Sequence, residues 1–124
     1  DMNRNLDEAL AMIERAVELA PNTGYILDSL AWGYYRLGRY ADALATMEKA
    51  SLMEPVDPIV TDHLGDVYWA VGRKLEARFQ WRRALSFDPE EKEADRIRRK
   101  LEGGLDAVLK EEGAEPLAVS KNGD

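Results

Sequence analysis

The sequence predicts an all-α chain in which antiparallel helix pairs stack into a solenoid and a terminal helix closes the stack. Three observations predict it. Residues recur at a spacing of 34: Pro21, Pro55 and Pro89; Ala9, Ala43 and Ala77; Ala16, Ala50 and Ala84. Between residues 24 and 89, Leu30 matches Leu64, Ala31 matches Gly65, Tyr34 matches Tyr68, Gly38 matches Gly72 and Arg39 matches Arg73. Within each period the apolar residues fall three and four apart, the spacing of one helix face. A unit of this length has two helices and buries its apolar face only by stacking on its neighbours.

The elements follow in order. Leu6, Ala9, Leu10, Ile13, Ala16, Val17 and Ala20 predict one amphipathic helix over residues 6–20, with Asp7 and Glu8 near its positive end. By period it is the second helix of a repeat that lacks its first, so residues 1–23 read as part of a truncated repeat. Pro21 stops it, and Asn22 and Thr23 are available to cap the next helix. The first full repeat is expected over 24–57. Its first helix, about 24–37, puts Leu27, Leu30, Ala31 and Tyr34 inward; Gly38 makes the turn, and Ala43, Met47 and Ala50 of the second helix, about 40–54, pack against it. The second repeat, 58–91, opens on Asp57 as cap and Pro58 at the first helical position, and repeats the inward face as Thr61, Leu64, Gly65 and Tyr68, then Ala77, Trp81 and Ala84. Asp88, Pro89 and Glu91 read as a further start signal, for a capping helix over 90–112. That helix offers Glu93, Asp95, Arg98 and Arg99 where the repeat places small and aromatic residues, which suits one face on the last repeat and the other in water. Gly103 and Gly104 break it, with a further turn or two from Leu105, Val108 and Leu109, and residues 113–124 are expected to be a disordered tail.

Composition excludes several functions. The 124 residues suit one domain with a modest core, no run approaches the roughly 18 apolar residues of a membrane span, and no membrane insertion of this segment is expected. The chain has no Cys and one His, so disulfides, thiol chemistry, an N/S zinc site and a Ser–His or Cys–His catalytic pair are not expected. The glycines are explained by turns and helix contacts, leaving no phosphate-cradling loop. No cofactor and no enzymatic activity are expected. Asp62 and Asp66, one helical turn apart, offer a hard cation too few oxygens and read as a solvated pair. The net charge of −7 is uneven, with a basic run from Arg73 to Lys100. Glu76, Glu90, Glu91, Glu93 and Asp95 interleave with it, so it reads first as solvated helix faces, with an anionic partner as the alternative; nucleic acid fits poorly.

At Leu27, Leu30, Ala31, Tyr34, Gly38, Tyr40, Ala43, Met47, Ala50 and Pro55, and again at Thr61, Leu64, Gly65, Tyr68, Gly72, Lys74, Ala77, Trp81, Ala84 and Pro89, the chain resembles the tetratricopeptide repeat (TPR) family. Thr61 and Lys74 stand where the family has apolar or aromatic residues. The resemblance covers roughly residues 6–91. It implies a right-handed solenoid and a protein-binding scaffold or adaptor. The runs DSLAWGYYRLGRY and DHLGDVYWAVGRKLEARFQWRRAL resemble the C-terminal repeats of large bacterial members, some of the cell envelope, which implies a bacterial cytoplasmic or envelope setting.

In this family the first helix of each repeat lines a concave groove. Once the inward face is assigned, the resemblance leaves Tyr25, Asp28, Ser29, Trp32, Tyr35 and Arg36 on the first such helix, and Ile59, Asp62, His63, Asp66, Trp69 and Ala70 on the second. The implied site is a peptide- or protein-binding groove of Tyr25, Asp28, Trp32, Tyr35, Arg36, Asp62, Asp66 and Trp69, with aromatic platforms and a carboxylate rim. The other reading of Trp32 and Trp69 is packing against neighbouring helices. Members that clamp a terminal carboxylate place basic residues where this chain has Asp28 and Asp62, which would repel one. A second function reading makes the chain the structural cap of a longer array whose binding site lies upstream. The truncated first repeat is expected to expose Leu6, Leu10 and Val17 and to favour self-association through that end.

Overall fold

The computed structural model describes the backbone of residues 2–19 and 23–120 and the side chains of 5–19 and 23–120. Its regular structure is helical throughout: α1 (Met2–Leu19), α2 (Gly24–Arg36), α3 (Tyr40–Met53), α4 (Pro58–Ala70), α5 (Lys74–Ser86), α6 (Glu91–Gly103) and α7 (Leu105–Glu111). The closest pairings are α2 with α3 and α4 with α5, joined by contacts of α1 with α2, α3 with α4 and α5 with α6.

The inward residues are where the spacing puts them. Ala31, Ala43, Met47, Ala50, Thr61, Ala77, Trp81 and Ala84 are wholly buried. Small side chains at the helix contacts let axes approach, and at Gly65 the approach is absolute: a Cβ there would lie 2.5 Å from the Trp81 indole. Both pairs turn through the same motif. Arg39 N–H donates to Tyr34 O at 2.9 Å while Gly38 N–H donates to Tyr35 O; Arg73 and Gly72 repeat this with Tyr68 and Trp69. The motif needs a left-handed residue after the helix, and Gly38 and Gly72 supply it at φ 78° and 86°.

Polar links recur with the same period. The Tyr34 hydroxyl donates to Glu14 at 3.0 Å and the Tyr68 hydroxyl to Glu48 at 3.0 Å. Arg39 lies over Tyr34 as Arg73 lies over Tyr68, with 4.5 and 4.9 Å between charge and ring centre. Helix α1 therefore meets α2 as α3 meets α4. That corrects the expectation for its apolar residues: Leu10 is buried with Leu30 and Leu37, and Leu6, Ile13 and Val17 pack on the same cluster. An amphipathic helix turns its stripe toward the one neighbour available. Among the described residues of α1, the large apolar side chains that stay exposed are Met12 and Leu19.

The helix starts differ in how they are capped. Asp57 accepts from the backbone N–H of Ile59 and Val60, both at 2.9 Å, as its position before Pro58 predicts. Asp57→Ala should lower stability by about 1 kcal/mol, read as an earlier midpoint in urea unfolding. Thr23 stands before α2 without a side-chain cap bond, and the expected roles of Pro21 and Asn22 lie outside the described residues. Asp88 does not cap α6. It takes φ 59° and closes α5 instead, its N–H donating to Leu85 O at 3.3 Å, and α6 begins at Glu91. A short polar side chain tolerates the left-handed region, so Asp can end a helix as well as start one.

The terminal helix divides at Gly104 (φ 88°), where a Cβ would lie 2.7 Å from the Trp69 ring. Helix α7 then leads into residues 114–120, which run without regular structure. Leu117 packs on the core, and the Tyr40 hydroxyl donates to Ala118 O at 2.6 Å. Residues 121–124 of the expected tail lie outside the described residues.

Candidate functional site

Helices α2 and α4 lie side by side, and the residues left over from their inward faces line one concave surface. On α2 these are Tyr25, Asp28, Trp32 and Tyr35; on α4, Ile59, Asp62, Asp66 and Trp69. Helix α6 is the third wall. The surface has two halves, and they differ in what covers them.

The half at the C-terminal ends of α2 and α4 is filled by the chain itself. Trp69 is buried, its Nε1–H donating to Asp106 Oδ2 at 3.1 Å and its ring lying under Gly104. Tyr35 is buried too, stacked on Trp32 with 4.5 Å between ring centres, and burial pushes its hydroxyl far above the ordinary tyrosine range. Tyr40, at the start of α3, is reached by Ala118. Leu105 and Val108 of α7 are fully buried, and α7 is clamped at its end by the Arg96 guanidinium, whose two N–H groups reach both oxygens of Glu112 at 2.7 and 3.1 Å.

Between the halves sits a buried cation. Lys100 Nζ donates to Asp62 Oδ1 at 2.5 Å and to Asp66 Oδ1 at 2.8 Å, and Trp81 Nε1 donates to the same Asp66 oxygen at 3.0 Å. The two carboxylates are therefore not the solvated pair the sequence suggests. Their spacing does hold a cation, and α6 supplies it as a side chain. Burial alone would lower the Lys100 pKa, but Asp66 and Asp62 more than offset it and hold the ammonium charged. Burial, with the neighbouring Asp66 charge, pushes the Asp62 carboxyl up to about 6 against the opposing pull of Lys100. The triad ties α4, α5 and α6 together.

The other half is open. A cleft of about 250 Å³ lies between α2, α4 and α6, lined by Trp32, Pro58, Ile59, Asp62, His63, Pro89, Glu93, Arg96 and Ile97. Its floor is an aromatic stack: His63 lies on Trp32 with 4.1 Å between ring centres. The imidazole is oriented by Asp28, which meets its Nδ1 at 2.9 Å. Burial pulls the His63 pKa down, but Asp28, joined by Asp66 and Asp62, outweighs it and the net shift is upward. Ile59 is exposed at the rim.

Of the eight residues expected to form the groove, Trp32 and Asp62 line the cleft and Asp28 orients its floor; Tyr25 is exposed with its hydroxyl on Asp57, and Arg36 is exposed at the far end of α2. Tyr35, Asp66 and Trp69 lie beneath α6 and α7. Sequence reasoning missed Lys100, Arg96 and Asp106. Lys100 had a signal: Ala94, Ile97 and Lys100 recur every third residue, on the one face α6 could bury. Asp106 had none, because only the turn at Gly104 brings it to Trp69.

No family model matches the chain, and no curated protein matches it. Solved structures do. The first TPR of Spaghetti (RPAP3), bound to the HSP90 peptide SRMEEVD, superposes with a TM-score of 0.72 at 18% identity, over 89% of this chain and 82% of that one. The type III secretion translocator chaperone SycD of Yersinia enterocolitica gives 0.70 at 15% identity, over 90% and 84%. MamA of MSR-1 gives 0.65 at 23% identity, over 89% of this chain and 59% of that one. At these identities the likeness is one of fold.

Proposed function

We propose that this chain, which has the tetratricopeptide-repeat fold, is a protein-interaction module that takes a peptide or protein segment on its concave face. The observation that carries this reading is the open cleft with the Trp32–His63 stack as its floor. The partly buried Trp32 indole is held by two rings, Tyr35 and His63, and the part of it that reaches the cleft offers contact area at little cost in side-chain entropy, which is what an interface anchor needs. Glu93 and Arg96, the latter paired with Glu112, line one wall, and Asp62, held by Lys100, lines the other. The RPAP3 neighbour is bound to the peptide SRMEEVD, which supports a peptide or protein segment as the ligand. Asp28 and Asp62, which the sequence offers as groups that would repel a terminal carboxylate, are taken up by His63 and Lys100, so they do not decide the charge of the ligand.

Selection of random peptides displayed on phage tests the reading. The intact chain should enrich a motif with an aromatic or aliphatic anchor. Trp32→Ala, folded by circular dichroism, should weaken the enriched peptide by about 2 kcal/mol, roughly thirtyfold. Equal binding by both proteins would remove the cleft from the site.

The second reading, a cap for a longer array, rests on the Lys100 triad. It fixes α6 on the last helix pair with the charged side chains Arg98 and Glu102 outward. The two readings differ at Trp32, which a cap alone does not need.

A further inference from the structure

Residues 105–118 do something a simple cap does not. Gly104 turns α7 away from α5, whose Leu75 and Phe79 stay exposed at 81% and 57%, and toward Trp69 and Tyr40. The segment thus lies where the concave face of the fold is lined, and its contacts have the form of a bound ligand. Leu105 and Val108, three apart on one helix face, are the apolar anchors. Asp106 accepts from the Trp69 indole, and beyond α7 the extended stretch offers Leu117 to the core and the Ala118 carbonyl to Tyr40.

We propose that residues 105–118 are an internal ligand of the concave face, and that the place they fill accepts instead an amphipathic helical segment of a partner protein. The partner segment presents the same chemistry: an apolar anchor, a carboxylate next to it for Trp69 Nε1, a second apolar side chain one turn on, and an extended apolar end running to Tyr40. This rests on the reading of the concave face as a protein-binding surface, and gives that surface a second state. The segment is suited to exchange. It hangs from a glycine hinge, and seven residues of helix have little stability of their own. Its carboxylate anchor, Asp106, is exposed to solvent, so a competing carboxylate can reach Trp69 as the segment frays. While tethered it competes at an effective concentration of the order of millimolar, so a partner must bind the freed face well or arrive after the segment is released.

The test uses the full chain, intact and as L105D/V108D, which removes both apolar anchors and leaves the concave side chains untouched. The probe is a fluorescent synthetic peptide of residues 103–120, followed by anisotropy. The released variant should bind it at least about tenfold more tightly than the intact chain does, and adding Trp69→Ala should remove the binding. A folded released variant that ignores the peptide, or an intact chain that binds it equally well, overturns the proposal. If L105D/V108D does not fold, a protease site placed between Gly103 and Gly104 of the full chain replaces it. Cut pieces that separate and recombine on mixing support exchange, and pieces that never separate, or that do not recombine, overturn it. Phage-selected peptides whose binding depends on Trp32 but is unaffected by release leave the concave-face reading standing and make residues 105–118 a fixed cap. Failure with both peptides removes both readings.

Discussion

Replacing Lys100 by alanine should cost about 3–5 kcal/mol of stability, because it leaves Asp62 and Asp66 buried with no cation between them. Lys100→Met, which restores volume but not charge, should recover little of that. The triple variant Lys100→Met, Asp62→Leu, Asp66→Asn should recover most of it, since no unpaired charge remains and Asn still accepts from the Trp81 indole. The pH dependence has a definite sign. Asp62 is already raised to about 6 in the intact protein, and losing Lys100 raises it further. A carboxyl whose folded pKa lies above its unfolded value contributes stability below the unfolded value, and that contribution is lost as pH rises through the folded one. The deficit of Lys100→Met relative to the intact chain should therefore shrink as pH falls from about 7 to about 5. Urea unfolding of both proteins at the two pH values measures it; a deficit independent of pH would mean that the carboxylates are not the source.

The second large effect is expected at the contact of Trp81 with Gly65. Trp81 is wholly buried, fills the space between α4 and α5, and donates to Asp66. Trp81→Ala should cost about 3–5 kcal/mol. Gly65→Ala forces a methyl to within 2.5 Å of the indole and should cost about 1–3 kcal/mol. The two are not additive. In the Trp81→Ala background the same Gly65→Ala change should cost much less, because the indole atoms at 2.5 Å are gone and only the Ala77 carbonyl oxygen, at 3.2 Å, stays close. Thermal or urea unfolding of the three variants closes the cycle, and full additivity would show that the cost at Gly65 comes from elsewhere.

How much of this was legible in the sequence depends on where the period ends. Within it, each burial expectation rests on two or three copies of one position. Ala43 and Ala77, Met47 and Trp81, Ala50 and Ala84 are buried alike because they occupy one place in one unit. The turns at Gly38 and Gly72 were readable for the same reason. Beyond Pro89 there is no second copy to compare. In a run of Arg, Lys and Glu the trace of the buried charge is the three-residue spacing of Ala94, Ile97 and Lys100, and nothing in the run names the carboxylates it meets. The groove residues were placed on the correct helices, but whether Trp69 was open depended on Gly104 and Asp106, 35 and 37 residues later. That long-range contact leaves no periodic trace. Leu6, Leu10 and Val17 were misread as exposed because their cover was sought in a helix before them, whereas α2 after them supplies it.

The three tryptophans offer the most direct test of the concave face as the binding surface, since each indole N–H gives its own resonance in a nitrogen–proton correlation spectrum. Titrated with a phage-selected peptide, the Trp32 resonance should shift while that of Trp81, sealed in the core, stays in place. A shift of Trp69 in addition would report displacement of Asp106. Saturable binding with Trp32 and Trp69 both unmoved would contradict the account and put the ligand elsewhere, with the exposed Leu75 and Phe79 of α5 as the next place to look.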